Sequence, residues 1–578
     1  MRIVTVRRIS QGFFLVIFLW FCSAATLGAA WWQLRGWPIN WILELDPLTA
    51  LSTALATHSF YAPLAWALVT LGLTLFVGRF FCGFACPLGT INQFTGWLGR
   101  RGQHTHVRVE ANRHCRAQNL KYYLLAFLLA LALMGSVQTG IFDPLPLLHR
   151  SVNLALAPLA DNRIGLLSDA PRYYTSTWLI GFVLLGVVGL NLVLPRFFCR
   201  FVCPLGALFG LLSRFTPWRI GKTSDKCGDC CICEEYCEGA CRPAGKIIVS
   251  ECVMCMNCLD RCPASRISFA NKPSAAGEVG LPDLSKRGLV MAGAGLLVVS
   301  MWEVGGLAGS NRDPNLIRPP GALDEERFLA RCIRCGQCMR ICPGNIIQPA
   351  LFESGIQGLW TPAVNYRIGV SGCQPNCVAC GQVCPTAAIR SLSLEEKQGT
   401  GDFAAQGPIR MGTAFVDRSR CLPWTMDRPC LVCHELCPVS PKAIFTRTVF
   451  ETIRGGQELP ARVLSKGVDL YAPTPVAVNL GSGDYYLRVT GQPGAALRRI
   501  IGFSGNRLSL ESPLAVGGTQ VFYGAKVDIL VRLQRPFVDP ARCIGCGMCE
   551  HECPVSGLRA IRVYSENESR SRKGRMLA

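Results

Sequence analysis

Six groups of four cysteines, each closing on the spacing Cys-x2-Cys-x3-Cys, constrain this chain more than any other feature. A cubane 4Fe-4S cluster takes four thiolates, and in the bacterial pattern Cys-x2-Cys-x2-Cys-x3-Cys-Pro three ligands serve one cluster while the last serves its neighbour. The short turns let one backbone loop wrap the cube. Read as three pairs of motifs, Cys227, Cys230 and Cys233 take Cys262, while Cys252, Cys255 and Cys258 take Cys237. Cys332, Cys335 and Cys338 take Cys384, while Cys373, Cys377 and Cys380 take Cys342. Cys421, Cys430 and Cys433 take Cys553, while Cys543, Cys546 and Cys549 take Cys437. Proline follows Cys262, Cys342, Cys384, Cys437 and Cys553, but Glu238 follows Cys237, and Cys241 is a rival for its place. The scheme predicts six 4Fe-4S clusters on 24 of the 32 cysteines, with Cys231, Cys22 and Cys115 spare.

Other cysteine chemistries fit less well. Zinc sites would show isolated Cys-x2-Cys pairs, and a disulfide scaffold would be a far smaller secreted chain than 578 residues. Cys430-Leu431-Val432-Cys433-His434 also matches the attachment site of a c-type haem. A covalent haem would strand Cys421 and Cys437. Of the seven histidines (His58, His104, His106, His114, His149, His434, His551) only His58 falls within an uncharged stretch, so a bis-histidine haem in a bilayer is unsupported.

Half of the chain is apolar and only 17% charged, below the roughly 25% of a soluble domain. Uncharged stretches at Ile9–Leu34, Pro47–Gly78, Tyr122–Phe142 and Tyr173–Pro195 reach the roughly 20 residues that cross a bilayer and predict four spans. A fifth is expected at Gly288–Trp302, where 15 uncharged residues lie between Arg287 and Glu303. The second loop carries seven Lys and Arg residues and Arg196–Lys226 six, against one, Arg35, in the first loop. Positive loops stay in the cytoplasm, so the N-terminus and the segment Arg196–Arg287 are expected inside, and residues 306–578 outside if the fifth helix crosses. The first apolar run is too long for a cleavable signal. A net charge of +21 could suggest nucleic acid, but six oxidised clusters with their thiolates would cancel about −12 of it, and no nucleic-acid partner is expected.

Within the apolar region, Phe80-Phe81-Cys82-Gly83-Phe84-Ala85-Cys86-Pro87-Leu88-Gly89 recurs as Phe197-Phe198-Cys199-Arg200-Phe201-Val202-Cys203-Pro204-Leu205-Gly206. Cysteines at i and i+4 share a helix face, and the proline is expected to mark that helix's end. Two such ends meeting would join Cys82, Cys86, Cys199 and Cys203 in a cofactor-binding redox site. The competing reading is that small cysteines pack the helix ends. Glu44, Asp46, Asp143 and His149 are candidates to accept protons from a quinol, or else solvated loop ends. Between Cys437 and Cys543, alternating runs such as Tyr485–Thr490 and Val527–Leu533 read as strands, either a stabilising insertion or a docking surface. The basic tail Ser565–Ala578 reads as a mobile end.

The expected fold is an α-helical membrane domain with a two-helix internal repeat, α+β bacterial-ferredoxin-like 4Fe-4S domains and a β-rich insertion. Its parts are residues 1–222 (four spans), 223–275 (cytoplasmic two-cluster ferredoxin), 286–310 (anchor-like helix), 320–395 (external ferredoxin) and 410–565 (external ferredoxin with an insertion at about 445–537).

With the Cys-x3-Cys-Pro pairs and the two-cluster segment behind them, residues 1 to about 270 resemble the NapH-type membrane ferredoxins, related to the NosR family. From about residue 285 the chain resembles the periplasmic MauM/NapG-type ferredoxins, whose third motif is similar to Cys421-x8-Cys430-x2-Cys433-x3-Cys437-Pro438. Ser285-Lys286-Arg287-Gly288-Leu289 stands where that second family carries a twin-arginine signal, and resembles such a signal retained as an anchor. The resemblance implies a quinol dehydrogenase module in a bacterial inner membrane, drawing on the membrane quinone pool and delivering electrons to a periplasmic oxidoreductase or cytochrome. The NosR resemblance also allows a regulatory or maturation protein supplying electrons for metal-site assembly. Clusters on opposite sides of a hydrocarbon core about 30 Å thick cannot exchange electrons directly. A bound quinone or the four-cysteine site must therefore carry them.

Overall fold

Proline placement shapes the helical part of the molecule. Asp46, Cys86, Asp143 and Cys203 each stand immediately before a Pro-Leu pair, and each is the N-cap of the helix that the proline opens. Their side chains accept backbone N–H groups two or three residues on, from Leu48, Gly89, Leu145 and Gly206. Proline suits the first helical turn because its missing N–H would have no partner there. Pro87 and Pro204 thus begin helices where sequence reasoning expects them to end one, and each Cys-x3-Cys pair is split between the end of one helix and the cap of the next.

A computed structural model describes residues 2–30, 39–165, 171–224, 230–281, 315–464, 466–471, 480, 484–490, 496–514 and 521–570. The expected fifth span, the Ser285–Leu289 segment, Cys227 and the tail beyond residue 570 lie outside them. The helices that position the sites are α1 (Ile3–Ala30), α2 (Pro47–Thr57), α3 (Ala67–Val77), α4 (Phe80–Phe84), α5 (Pro87–Gly99), α6 (Leu120–Leu133), α7 (Pro144–Ser151), α8 (Thr177–Gly189), α9 (Phe197–Phe201) and α10 (Pro204–Ser213). Among the described residues only α1, over Ile3–Ala24, is long and apolar enough to cross a membrane. The expected span Pro47–Gly78 is broken after α2, where His58 turns left-handed at φ 50°. The Tyr122–Phe142 stretch leaves its α-helix at Leu133, with only a short 3-10 turn at Thr139–Ile141 beyond, and Tyr173–Pro195 is helical only over Thr177–Leu192.

The described residues divide into two compact units, one of those up to 370 with 376–409 and 570, the other of 371–375 with those from 410 to 569. The core of the first joins Phe18, Leu48, Leu88, Leu125, Leu147 and Phe209 from six of these helices. The cysteine segments 230–262 and 332–342 pack against α1 at different levels. Asn257–Arg261 lies beside its start and Gln337–Ile341 further along. Arg7 donates to Asn257 Oδ1, and Cys22 is within electrostatic reach of Cys335. At 1.5 Å per residue those two levels are about 22 Å apart.

In the second unit the insertion is a β-barrel. Its strands are β1 (Ile444–Thr452), β2 (Leu459–Leu464), β3 (Gly467–Leu470), β4 (Tyr485–Val489), β5 (Arg498–Ser504), β6 (Arg507–Leu510) and β7 (Val521–Val538). Neighbours run β4-β5-β6-β3-β2-β7, and β4 pairs with β7 to close the ring. Closure depends on the length of β7. Its first part pairs with β2, Val527–Val531 pairs with β4, and Leu530–Val538 runs against β1. Inward residues including Val463, Leu487, Ile500, Leu508 and Ile529 fill the interior.

Candidate metal centres

Two cavities in the second unit are built from sequence-distant cysteines. One is lined by Cys437, Cys543, Cys546 and Cys549 with Ala414, Val439, Ile444 and Val563. The other is lined by Cys421, Cys430, Cys433 and Cys553 with Val416, Leu422, Pro536 and Ile561. Each thus gathers one of the sets of four expected from spacing. Burial pushes the Cys421, Cys433 and Cys546 thiols up to about 12. Such thiols become thiolates at neutral pH when a bound cation deprotonates them, and the apolar walls and four sulfurs suit an iron–sulfur cube. His434 Nδ1 is engaged by the Ile444 carbonyl at 2.8 Å, and Cys430 and Cys433 share their cavity with two further cysteines, an arrangement foreign to a Cys-x-x-Cys-His haem.

The same loop conformation recurs in three motifs. The residues flanking the middle cysteine are left-handed in each: Gly545 and Gly547 at φ 68° and 73°, Arg334 and Gly336 at 59° and 79°, Met254 and Met256 at 55° and 58°. Three of these positions carry side chains in a region that disfavours them. The loop accepts that cost in order to turn its sulfurs inward.

In the first unit Cys332, Cys335, Cys338 and Cys384 are within electrostatic reach of one another, and burial pushes Cys335 up to about 12. Cys342, Cys377 and Cys380 also belong to this unit, and Cys373 to the other, where its N–H donates to the Cys546 carbonyl at 2.7 Å. The segment is held to the helices by Arg334 Nη1 donating to the Val137 carbonyl at 2.5 Å, Tyr174 Oη to the Met339 carbonyl at 3.2 Å, and an Arg340–Asp161 ion pair at 2.5 Å. Gly140 lies so close to the Ile333 carbonyl that no Cβ fits.

The other set in this unit brings Cys233, Cys237, Cys252, Cys255 and Cys258 together. Cys241 stands 3.5 Å from Cys237 and also bonds Cys252, so both rivals for the fourth place reach the same point. The Cys241 thiol holds Cys237 down to about 7 despite burial. Cys262 accepts the Arg266 N–H at 3.4 Å, while Cys230 and Cys231 are exposed. A Cβ on Gly83 would stand 2.5 Å from the Val253 carbonyl, so α4 and the Cys252–Cys255 loop touch backbone to backbone. Arg196 pairs with Glu238, the neighbour of Cys237, at 2.9 Å. Lys121, Arg79 and Tyr122 surround Glu251, the neighbour of Cys252. Burial alone would raise both carboxyls, but these cations outweigh it and hold them below the usual range.

Ser10 and Gln11 of α1, between the levels of Arg7 and Cys22, donate to the Phe84 and Gly83 carbonyls, and here lie Cys82, Cys86, Cys199 and Cys203. Cys82 and Cys199 ride on α4 and α9, and Cys86 and Cys203 cap α5 and α10. Cys203 is within electrostatic reach of the other three, and Asn92 Nδ2 donates to Cys199 Sγ at 3.5 Å. Arg79 and Arg196, each three residues before the first cysteine of its pair, face the group: Arg79 faces Cys82 and Cys203, and Arg196 faces Cys199 and Cys82. A Cβ on Gly206 would meet Arg79 Nη2 at 2.8 Å and Cys203 Sγ at 3.4 Å, which sets the guanidinium beside the sulfur. Sequence reasoning passed over both arginines, although their matching place in the two copies was a readable signal. Among the described residues no three His, Cys, Asp or Glu side chains close on a point small enough for one ion; a cubane is wider than an ion and its ligands stand further apart.

Residues 59–106 and 176–223 match one family described as a 4Fe-4S binding domain, and 328–348 and 536–559 match a second with the same description. Each of the first two stretches holds one Cys-x3-Cys-Pro pair. The chain is 27% identical over 259 residues to YccM of Escherichia coli K12, a protein named for electron transport, spanning 44% of this chain and 68% of that one. It is 27% identical over 234 residues to NirI of Paracoccus denitrificans, spanning 39% of this chain but only 32% of NirI. To the methylamine utilization ferredoxin-type protein MauM of Methylorubrum extorquens it is 32% identical over 184 residues, 30% of this chain and 72% of MauM. No solved structure matches the chain.

Proposed function

This chain belongs to the family of the MauM ferredoxin-type proteins, and from that premise we propose that it is a quinol-oxidising electron carrier of the bacterial inner membrane. That it is an iron–sulfur electron-transfer protein follows from its 4Fe-4S binding domains and its relatives. The finer reading is a multi-pass protein whose Cys230–Cys262 segment faces the cytoplasm and whose later ferredoxin segments face the periplasm, holding six clusters on the 24 cysteines paired above and passing electrons from the quinone pool to a periplasmic oxidoreductase or cytochrome. The fusion of a NapH-type, NosR-related core to a NapG-type second half is part of that reading.

One observation supports it: two cysteine sites dock on α1 about 22 Å apart, and the segment that bears Cys82 and Cys86 meets α1 between them, at Ser10 and Gln11, with the two buried arginines beside the four-cysteine group. When bound, an iron–sulfur cluster accepts and releases single electrons. Arg79 and Arg196 offset the negative charge of thiolates in a place that excludes water, and each also binds a carboxylate beside a candidate ligand of the next site. Phe13, Val16, Trp20, Phe76, Phe182 and Leu185 turn outward from α1, α3 and α8, the apolar surface that lipid would cover. The shorter helices lie within a bundle, where broken helices at membrane depth are tolerated.

The test is paramagnetic resonance of the anaerobically purified chain before and after a quinol is added, with iron and sulfide counted. Quinol-reduced cluster signals are expected. Clusters that dithionite reduces and quinol does not would overturn the quinol reading and favour a NosR-like maturation or regulatory role.

A further inference from the structure

Asp46 and Asp143 form a buried carboxyl pair without a counter-charge. Both are fully shut from solvent, and their carboxyl groups lie within hydrogen-bonding reach of each other. Asp46 Oδ1 accepts the Leu48 N–H at 3.0 Å and Oδ2 the Thr49 hydroxyl at 3.0 Å, while Asp143 Oδ1 accepts the Leu145 N–H at 3.4 Å. Asp143 Oδ2 is buried with no other side-chain or backbone donor, and Asp46 is the one charged group that acts on Asp143. Ionised carboxylates only accept hydrogen bonds. A bond between two of them therefore requires a proton, and two like charges this close in a dry site do not both ionise.

Charged groups on the neighbouring elements turn elsewhere. Arg150, on α7, donates to the Gly140 and Arg334 carbonyls and lies over the Trp360 ring. His149 bonds Asn153 and Gln337. Arg334 is taken by the carbonyls of Val137, Gln357 and Leu359, and Lys121, at the start of α6, by Glu251. Glu44, half-buried before Asp46, adds only another carboxylate. Helices α5, α8 and α10 carry no charged side chain.

The segments that bear the pair pack against a candidate redox centre. Leu43, Val137 and Leu145, from the segments bearing the two aspartates, share one apolar cluster with Ile333 and Cys335. Across apolar packing of this kind a charge change acts over a longer range than it does in water. We infer that Asp46 and Asp143 are a redox-linked proton site, holding one proton while the Cys332–Cys335–Cys338–Cys384 centre is oxidised and taking up a second when that centre gains an electron. The inference rests on the iron–sulfur reading of those cysteines. In the balanced step the singly protonated pair gains one proton, from the quinol O–H or from water, as one electron, from quinol or in the test from dithionite, arrives at the centre. The pair goes from one negative charge to none, offsetting the electron's charge, and no bond forms or breaks except the O–H.

Two measurements on the anaerobically loaded full chain test it. In a redox titration followed by paramagnetic resonance, the midpoint of one cluster signal falls with rising pH, approaching the 59 mV per tenfold change in proton concentration expected for one proton per electron, and Asp46→Asn and Asp143→Asn each flatten that slope. Infrared difference spectra show a protonated-carboxyl band in the oxidised protein that grows on reduction and is altered in both variants. A pH-independent midpoint in the wild-type chain, or a slope unchanged in both variants, overturns the link. Absence of the carboxyl band overturns the shared proton itself. Absence of iron at the Cys332 set overturns the underlying reading instead, and is told apart by iron counting and by the survival of the carboxyl band.

Discussion

Arg196 Nε stands 2.9 Å from Glu238 Oε2 with both side chains almost wholly buried. Since Arg196 also faces Cys199 and Cys82, one guanidinium bridges the four-cysteine group and the residue beside Cys237. Arg79 and Glu251, next to Cys252, repeat the relationship at 3.9 Å. Removing one partner of a buried pair strands the other, at a cost of about 3–5 kcal/mol. Arg196→Met is therefore expected to lower the thermal unfolding temperature and loosen the segment 230–262, read by limited proteolysis, whereas Arg196→Lys retains part of both.

Backbone contact at Gly83 makes a sharper prediction. A methyl group there meets the Val253 and Met254 carbonyls at 2.5 and 2.9 Å, neither of them a flexible side-chain end. Gly83→Ala is expected to cost at least about 1–3 kcal/mol by overpacking and to lower the iron bound at the Cys252 set. Gly12→Ala, where nothing lies within 4 Å, is the control.

Glu325 supplies a pH dependence. Burial alone would raise its carboxyl, but Arg318 and Arg570 outweigh it and hold it at about 2, against an ordinary 4.5. A depressed carboxyl stabilises the fold above its ordinary pKa, and the contribution is lost as pH falls from about 4.5 towards 2. The shift corresponds to about 3 kcal/mol at neutral pH. Glu325→Gln should unfold earlier than the parent at pH 7, and thermal scans of the two should converge near pH 2.

The four cysteines between the docked segments should act as a unit. Removing any ligand of a four-thiolate site disables the whole, so single replacement of Cys82, Cys86, Cys199 or Cys203 is expected to cost nearly as much quinol-driven reduction as replacing all four. Stopped-flow reduction of the quadruple Ala variant is the check, and full-rate reduction there would leave these residues a packing role alone.

Iron should approach about 24 per chain if the six sets of four fill as spaced. A pyridine haemochrome signal would reverse the reading of Cys430 and Cys433, whose cavity also contains Cys421 and Cys553.

The cysteine sets were the most legible part of this molecule because ligand spacing is local: the loop that wraps a cube spans seven residues, and Cys543 to Cys549 fixes it without reference to the rest of the chain. The helix breaks were harder to read. Nothing between Pro47 and Gly78 is charged, so hydropathy sees one segment, whereas His58 turns left-handed and Pro47 and Pro87 open helices from their N-caps. Barrel closure escaped for a different reason: it depends on Val527–Val531 finding Tyr485–Val489 across about forty residues, a pairing that alternation along either strand does not specify. Asp46 and Asp143 read either as proton acceptors or as solvated loop ends, and only the fold shows that both are buried.

The barrel enters and leaves through a single doorway. Ile444 lies opposite Val538 in the β1–β7 ladder, a few residues from Cys437 and Cys543, which line one cavity. Pro536, close to that doorway, lines the second cavity, but what lies between Thr452 and Leu530 is a cassette whose growth, loss or replacement need not move a sulfur, so long as the two strand ends remain side by side. Evolution can thus revise the outer surface of this unit at one address while its cysteine chemistry stays fixed, and a chimera that swaps residues 453–529 for another closed barrel offers a way to change what the unit meets without changing what it carries.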